Sequence, residues 1–361
     1  MESKKKLGYL KKFWSNKKIF ITGHTGFKGS WLSIILNLLG AKLYGYSLKP
    51  KKKSLFNQSG IGKNFISNFY GDIDNFKLLS EKIKKSKPNI IFHLAAQPLV
   101  IDSYKHPIKT FRTNIFGTLN LLESLKKVKS IKSVLIVTTD KVYKINKSNK
   151  PYIEQDQLGG SDPYSASKVG AEMVTHTYIK SFFKNTILKN KISTVRAGNV
   201  IGGGDYSENR LVPDIIKAIN NKRKIIIRNP NHVRPWQYVI EPLIGYLTLA
   251  ERQYKTKIKT KNFAWNFGPN KNNFKSVISI VKKIKNIENF KYSIKKINRL
   301  KETKILKLNS NKSKKILKWS PIWNLNETLK MVLEWNMLIK KGKNVKEVCK
   351  NQFLMYIKRK K

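Results

Sequence analysis

KIFITGHTGFKGSWL, residues 18–32, decides the fold. Lys18 to Thr22 is a short apolar run with β-branched residues, so it reads as a strand. It ends directly in Gly23-His24-Thr25-Gly26-Phe27-Lys28-Gly29. From Gly29 to Leu39, apolar residues then return at helical spacing through Trp31, Ile34, Ile35, Leu38 and Leu39. A glycine-rich loop that closes a strand and opens a helix is suited to a dinucleotide. The first glycine permits the tight turn, the second lets backbone approach a pyrophosphate, and the third allows the helix to pack closely on the strand. The free N–H groups and dipole at the helix start favour the anionic phosphates. All seven loop residues, 23–29, enter the cofactor-binding set, although for His24 a plain loop role is an equal reading.

Working outward, strand and helix alternate. Further strands are expected at Ala41–Tyr46, Phe65–Tyr70, Asn89–Leu94, Ser133–Thr138 and Ile192–Arg196, and helices at Phe76–Ser86, Thr110–Val128 and Ser165–Phe183. This rhythm predicts parallel strands joined by right-handed crossovers. The expected architecture is an α/β, doubly wound Rossmann sheet with a smaller, mostly C-terminal α/β substrate lobe. Residues 1–200 would form the dinucleotide-binding domain, with a return segment near 236–270 that includes Trp265-Asn266-Phe267-Gly268. Residues 201–235 and 271–361 would form the substrate lobe, and Trp319, Trp323 and Trp335 read as core. The second strand ends in Gly45-Tyr46-Ser47-Leu48-Lys49-Pro50, without the carboxylate that binds a ribose, so this position leaves NAD and NADP open. Asp72-Ile73, ending the third strand, is placed to reach the adenine. The small residues of Leu94-Ala95-Ala96, ending the fourth, let a cofactor pass close to backbone; His93 reads as a strand-end packing residue.

Two clusters carry chemistry. Tyr164-Ser165-Ala166-Ser167-Lys168 puts a tyrosine and a lysine on one helix face. The ammonium and an oxidised nicotinamide ring both favour phenolate and are expected to draw the tyrosine pKa down from about 10. Such a phenolate takes a hydroxyl proton while hydride leaves the same carbon. Thr138-Thr139-Asp140-Lys141 ends the fifth strand, where open parallel sheets bind ligands; a capping turn with a solvated Asp–Lys pair is the alternative. Arg234, in RPWQ, is suited to clamp phosphates bidentately. Arg210 and Arg228 are weaker candidates, and Gln97 joins the substrate-binding set.

The chain has 361 residues and a formal charge of +53. The excess is mostly lysine scattered over every segment, beside abundant Ile and Asn, three residues with AT-rich codons. Composition bias accounts for that pattern, and no nucleic-acid partner is expected despite the basic balance. Cys349 is the single cysteine, so an internal disulfide is impossible, and neither a cysteine-based zinc site nor any other metal is expected. The lysine-rich N-terminus lacks a signal-peptide core, and no stretch approaches the roughly 20 apolar residues of a membrane span. A cytoplasmic location is the expectation.

The Gly loop, the Tyr-x-x-x-Lys pair and the length resemble the extended short-chain dehydrogenase/reductase superfamily. Within it, GHTGFKGSWL, HLAAQPLV, TTDK, LGGSDPYSASK, RAGNVIGGGD, RLVPDI and RPWQYVIEP resemble the CDP-glucose branch of the nucleotide-sugar 4,6-dehydratases. They cover roughly residues 13 to 245, with weaker echoes in WNFGP and near Gln352–Tyr356. Related dTDP-glucose and GDP-mannose dehydratases typically have glutamate where this chain has Lys141. The resemblance implies NAD as cofactor, CDP-glucose as substrate and a three-stage reaction. Tyr164, supported by Lys168 and Thr139, oxidises C4; Asp140 protonates the C6 hydroxyl as water leaves; Lys141 takes the C5 proton; the hydride returns to C6. The Lys141 role requires a neutral amine, a shift of some three units from about 10.4, or about 4 kcal/mol. Asn199 resembles an asparagine that contacts the substrate diphosphate. The product would be CDP-4-dehydro-6-deoxyglucose, a precursor of deoxysugars in lipopolysaccharide O-antigen, and the enzyme would be a homodimer or homotetramer. Two rival readings are a nucleotide-sugar 4-epimerase, which would not need the Asp140–Lys141 pair, and a non-catalytic NAD-binding sensor, against which the intact Tyr164–Lys168 pair argues.

Overall fold

The structure, a computed structural model, describes residues 2–145, 150–258, 260, 262–295 and 303–359. Residues 146–149 of the lysine-rich linker 144–150 lie outside the described residues. The strands are β1 (Lys18–Thr22), β2 (Lys42–Ser47), β3 (Ser67–Tyr70), β4 (Ile90–His93), β5 (Ser133–Val137), β6 (Ile192–Ala197), β7 (Asn199–Ile201), β8 (Ile225–Ile227), β9 (Val233–Tyr238), β10 (Ala264–Phe267), β11 (Phe274–Ser276) and β12 (Tyr292–Ile294). Seven form a parallel sheet in the order β10-β6-β5-β4-β1-β2-β3. The strand order reverses at β1, which lies between β2 and β4. The crevice beyond the carboxyl ends of β1 and β4 is where such a sheet takes its ligand.

The apolar runs are continuous because both sheet faces are covered. Along β1, Ile19 and Ile21 join one cluster and Phe20 the other; β4 repeats this with Ile90 and Phe92 against Ile91, and β5 with Leu135 and Val137 against Val134 and Ile136. Alternate strand residues point to opposite faces, and each such side chain contributes about 1.5–3 kcal/mol on burial. The sheet is therefore a stiff platform whose carboxyl edge presents the Gly loop, Leu94–Gln97, Thr138–Lys141 and Gly198-Asn199 side by side.

The return to this sheet is β10, whose Trp265 lies opposite Val195 of β6. Beyond β6, β7, β9 and β11 form a small mixed sheet, and β8 pairs with β12. Trp319, Trp323 and Trp335 are buried among the apolar residues that join this part to one sheet face. Two elements differ from expectation. The stretch expected as one helix over Thr110–Val128 is α-helical at Pro107–Phe111 and Gly117–Leu125, with a π turn at Arg112–Phe116 between them. A helix at Glu2–Trp14, hidden by its lysines, buries Phe13 and Trp14 and packs on the C-terminal helix Val345–Arg359, where Lys6 Nζ donates to the Lys358 carbonyl at 3.0 Å. Among the described residues no helix is long and apolar enough to cross a membrane.

Candidate active site

The loop glycines divide into two kinds. Gly23 sits at φ +73°, and a Cβ there would stand 2.6 Å from the Ala95 nitrogen; one on Gly29 would stand 2.2 Å from the Gly23 carbonyl oxygen. Both are required by the protein's own packing. A Cβ on Gly26 would meet only the Gly23 oxygen, at 3.3 Å. Gly26 thus presents bare backbone at the start of helix Phe27–Leu38, the cradle that a dinucleotide diphosphate needs. Thr25 fastens the loop to the end of β2 through Ser47 Oγ at 2.7 Å and the Leu48 carbonyl at 3.1 Å.

The His24 ring turns away from this cradle. It is buried beneath Gly45, where a Cβ would stand 2.6 Å from the ring, and it packs against Phe56 and Phe65. Burial lowers its pKa to about 4, so only its main chain is left for a ligand. Lys28 faces the catalytic strands: burial and Arg210 lower its pKa to about 8 against the pull of Asp140 and Asp205. Asp72 lines an open cavity of about 510 Å³ with Asp74, His106 and Arg112. The Ile73 side chain lies under Gly117, and its carbonyl accepts from Asn120 Nδ2 at 3.1 Å. Leu94 and Ala95 abut Gly23, with the Ala95 N–H donated to Thr22 Oγ at 3.2 Å; Ala96 follows, half-buried. His93 is buried, between Thr22 at 2.8 Å and Thr118 at 3.3 Å.

Past β5, Thr139 organises a 3₁₀ turn over Asp140–Val142. Its hydroxyl donates to Asp140 Oδ1 at 3.2 Å and accepts the Lys141 N–H at 3.3 Å. The Tyr164 hydroxyl lies on the same side, where Thr139 opposes the upward push of burial on its pKa. Helix Pro163–Ser181, capped by Asp162, delivers Lys168 to the same place, where Nζ donates to the Val137 carbonyl at 3.1 Å. Tyr164, Thr139, Asp140, Lys141 and Lys168 therefore converge at the end of β5. Asp140 is 3% exposed; burial raises its pKa, opposed by Lys141, Arg234, Thr139 and Lys28. Its Oδ2 has no hydrogen-bond partner among the described residues. Burial thus favours the neutral carboxyl, the form that can donate.

The electrostatics correct one expectation. Burial pushes the Tyr164 phenol up to about 12, opposed by Thr139 and Arg210. Arg210, rather than Lys168, is the cation acting on the phenol. The lysine is itself lowered to about 8, by burial and then Lys28, against the pull of Glu172. Gln97 is half-buried in the loop after β4. Its amide nitrogen donates to the Leu99 carbonyl at 3.0 Å and Thr110 Oγ at 2.9 Å, and its oxygen accepts the Leu99 N–H at 2.6 Å, so it shapes its own loop. Arg234 is buried; it donates to the carbonyls of Val233 and Lys304 and pairs with His232, within range of Asp140. Arg210 pairs with Asp205 at 3.2 Å. Asn199, half-buried, opens β7 opposite Trp236. Arg228 instead lines a separate cavity of about 400 Å³ with Asp214.

A family model described as GDP-mannose 4,6 dehydratase matches residues 20–332. The chain belongs to this 4,6-dehydratase family. It is 41% identical to the CDP-glucose 4,6-dehydratase of Salmonella typhimurium, over 96% of this chain and 98% of that protein. It is 34% identical to the dTDP-D-glucose 4,6-dehydratase of Dictyostelium discoideum, over 62% of this chain and 53% of that one. In fold it is similar to the Bacillus anthracis dTDP-glucose 4,6-dehydratase, solved in complex with NAD, with a TM-score of 0.75, 22% identity and coverage of 91% and 98%.

For a 4,6-dehydratase family member, two buried residues stand out that the sequence did not flag. Asn114, in the π turn, donates to the Gln97 carbonyl at 3.1 Å and Ser167 Oγ at 2.8 Å while accepting the Gln97 N–H at 2.9 Å. It ties the loop after β4 to the Tyr164 helix, and no spacing rule marks a π turn. The other is Glu172, which was visible in principle as the next step in the i, i+4 series after Tyr164 and Lys168.

Proposed function

We propose that this chain is an NAD-dependent hydro-lyase that converts CDP-glucose to CDP-4-dehydro-6-deoxyglucose. The observation that carries this reading is the 41% identity to a CDP-glucose 4,6-dehydratase along 96% of the chain. The bare backbone of the Gly23–Gly29 loop would hold NAD, which would supply a positive charge and a reversible hydride acceptor. Tyr164 takes the C4 hydroxyl proton, with Thr139 beside the phenol, Arg210 favouring its ionised form and Lys168 supporting it from the same helix face. The resulting ketone acidifies the hydrogen at C5. Lys141 removes it as a proton, Asp140 passes its own proton to the C6 hydroxyl, which departs as water, and Lys141 returns a proton to C5 when C6 is reduced. Arg210, Arg234 and Asn199 hold the diphosphate; Gln97 is left out of this set. Residues 1–200 with the return near 236–270 bind the cofactor, and 201–235 with 271–361 the substrate.

Exposed Ile108, Phe116 and Met173, on neighbouring helices, support assembly as a homodimer or homotetramer. A single buried thiol suits the cytoplasm, where the product would feed deoxysugar synthesis for lipopolysaccharide O-antigen. The test is mass spectrometry of the product formed from CDP-glucose deuterated at C4, with NAD. Loss of water with deuterium recovered at C6 is expected. No product from CDP-, UDP- or dTDP-glucose, with NAD bound, would overturn the assignment.

A further inference from the structure

We propose that Glu172, paired with Arg196, is a positioning residue that clamps the Thr139-Asp140-Lys141 turn at both ends against the helix carrying Tyr164 and Lys168. The inference rests on the dehydratase reading and adds to it a group that touches no reacting atom. Tyr164, Lys168 and Glu172 follow at intervals of four and so share one helix face. Glu172 is 1% exposed and fully satisfied. One carboxylate oxygen accepts Thr138 Oγ at 2.6 Å and Arg196 Nε at 2.8 Å; the other accepts Thr194 Oγ at 2.7 Å and Arg196 Nη2 at 2.9 Å. Thr138 immediately precedes the turn. On the far side, Arg196 Nη1 donates to the Tyr143 hydroxyl at 2.9 Å, and Tyr143 donates to Asn266 Oδ1 at 2.6 Å. The residues before and after the turn are thus both bonded to one ion pair, whose acidic member sits one helical turn beyond Lys168.

Stability does not explain such an arrangement, because a buried ion pair is often matched or bettered by apolar residues of the same shape. Fixed geometry does explain it: misplacing a reacting group by about 1 Å costs on the order of a hundredfold in rate. The carboxylate also favours the charged form of Lys168, against burial and Lys28.

Three hydroxyl deletions test the clamp while leaving the ion pair in place. Thr138→Val cuts the bond before the turn and Tyr143→Phe the one after it. Thr194→Val cuts an equivalent bond to the same carboxylate from mid-β6, away from the turn. The first two are expected to lower kcat about tenfold or more, with KM for CDP-glucose within about twofold. Thr194→Val should lose a similar Tm yet keep kcat within about twofold. Glu172→Gln should move the alkaline limb of kcat/KM to lower pH; if it does not fold, the three deletions decide alone. Equal kcat losses in all three, tracking Tm, or unchanged kcat in Thr138→Val and Tyr143→Phe, would overturn the proposal. A wild-type protein that dehydrates no nucleotide sugar would instead overturn the dehydratase reading.

Discussion

Replacing Gly26 by alanine separates cofactor binding from folding more cleanly than any other change in the loop. Its backbone, at φ −78° and ψ 172°, is extended and open to alanine without strain. The new Cβ meets only the Gly23 oxygen at 3.3 Å, which must give by a few tenths of an ångström. The smaller unfolded-state entropy of alanine returns about 0.4–1 kcal/mol. Folding stability should therefore stay within about 1 kcal/mol of wild type, or about 1–2 °C in Tm. The same methyl occupies the space where a diphosphate would approach the helix start. Losing one hydrogen bond to a charged group costs about 1.5–3 kcal/mol, which is roughly 10- to 150-fold in Kd for NAD. Gly23→Ala is the contrast. It places a Cβ 2.6 Å from the Ala95 nitrogen at φ +73°. The left-handed backbone costs about 1–2 kcal/mol and the overlap about 1–3 kcal/mol more. Calorimetric titration with NAD beside thermal melts of both variants reads the two effects apart. If Gly26→Ala bound NAD like wild type, or melted as early as Gly23→Ala, the assignment of the open glycine to the diphosphate would be wrong.

Tyr164→Phe should lower kcat by at least about 10²–10⁴-fold, the range for a lost general base, while the Kd for NAD stays within a few-fold. Asp140→Asn should stall the reaction after C4 oxidation, so absorbance at 340 nm from reduced cofactor builds up on mixing with CDP-glucose; its absence in this variant, with turnover intact, would remove Asp140 from the proton transfer. The buried Lys168, lowered from 10.5 to about 8, binds fewer protons folded than unfolded between those values. Its contribution to stability must therefore rise with pH through that window. Urea midpoints of wild type and Lys168→Met at pH 7.5 and 9.5 check this: the variant should lose the part of the slope that belongs to this group.

The central sheet was legible because its strands are apolar on both faces, and β1, β4 and β5 need no partner lobe to explain their composition. The Gly loop was legible for the same local reason, since strand, turn and helix signals adjoin. What escaped depends on distance in sequence. His24 belongs to the loop string, yet Gly45 and Phe56 decide where its ring goes. Gln97 was read for the ligand, but Thr110 and Leu99 claim its amide. The Tyr164 pKa was argued from the neighbour four residues away, whereas burial and Arg210, 46 positions on, govern it. Asn114 acts through a π turn, which leaves no mark on hydrophobic spacing.

The pairing of β10 with β6 has a consequence for the growing polypeptide. Thr194 waits 70 residues for its partner Ala264. At about 5–20 residues per second, the ribosome leaves that interval open for roughly 4–14 s. During it, β6 is the outermost strand of a nearly finished sheet, with its whole length buried in the final protein and its free edge a template for another chain. The carboxyl edge is incomplete over the same interval, since Asn266 has not yet reached Tyr143. A formal charge of +53, spread along the chain, gives neighbouring nascent copies a mutual repulsion for those seconds.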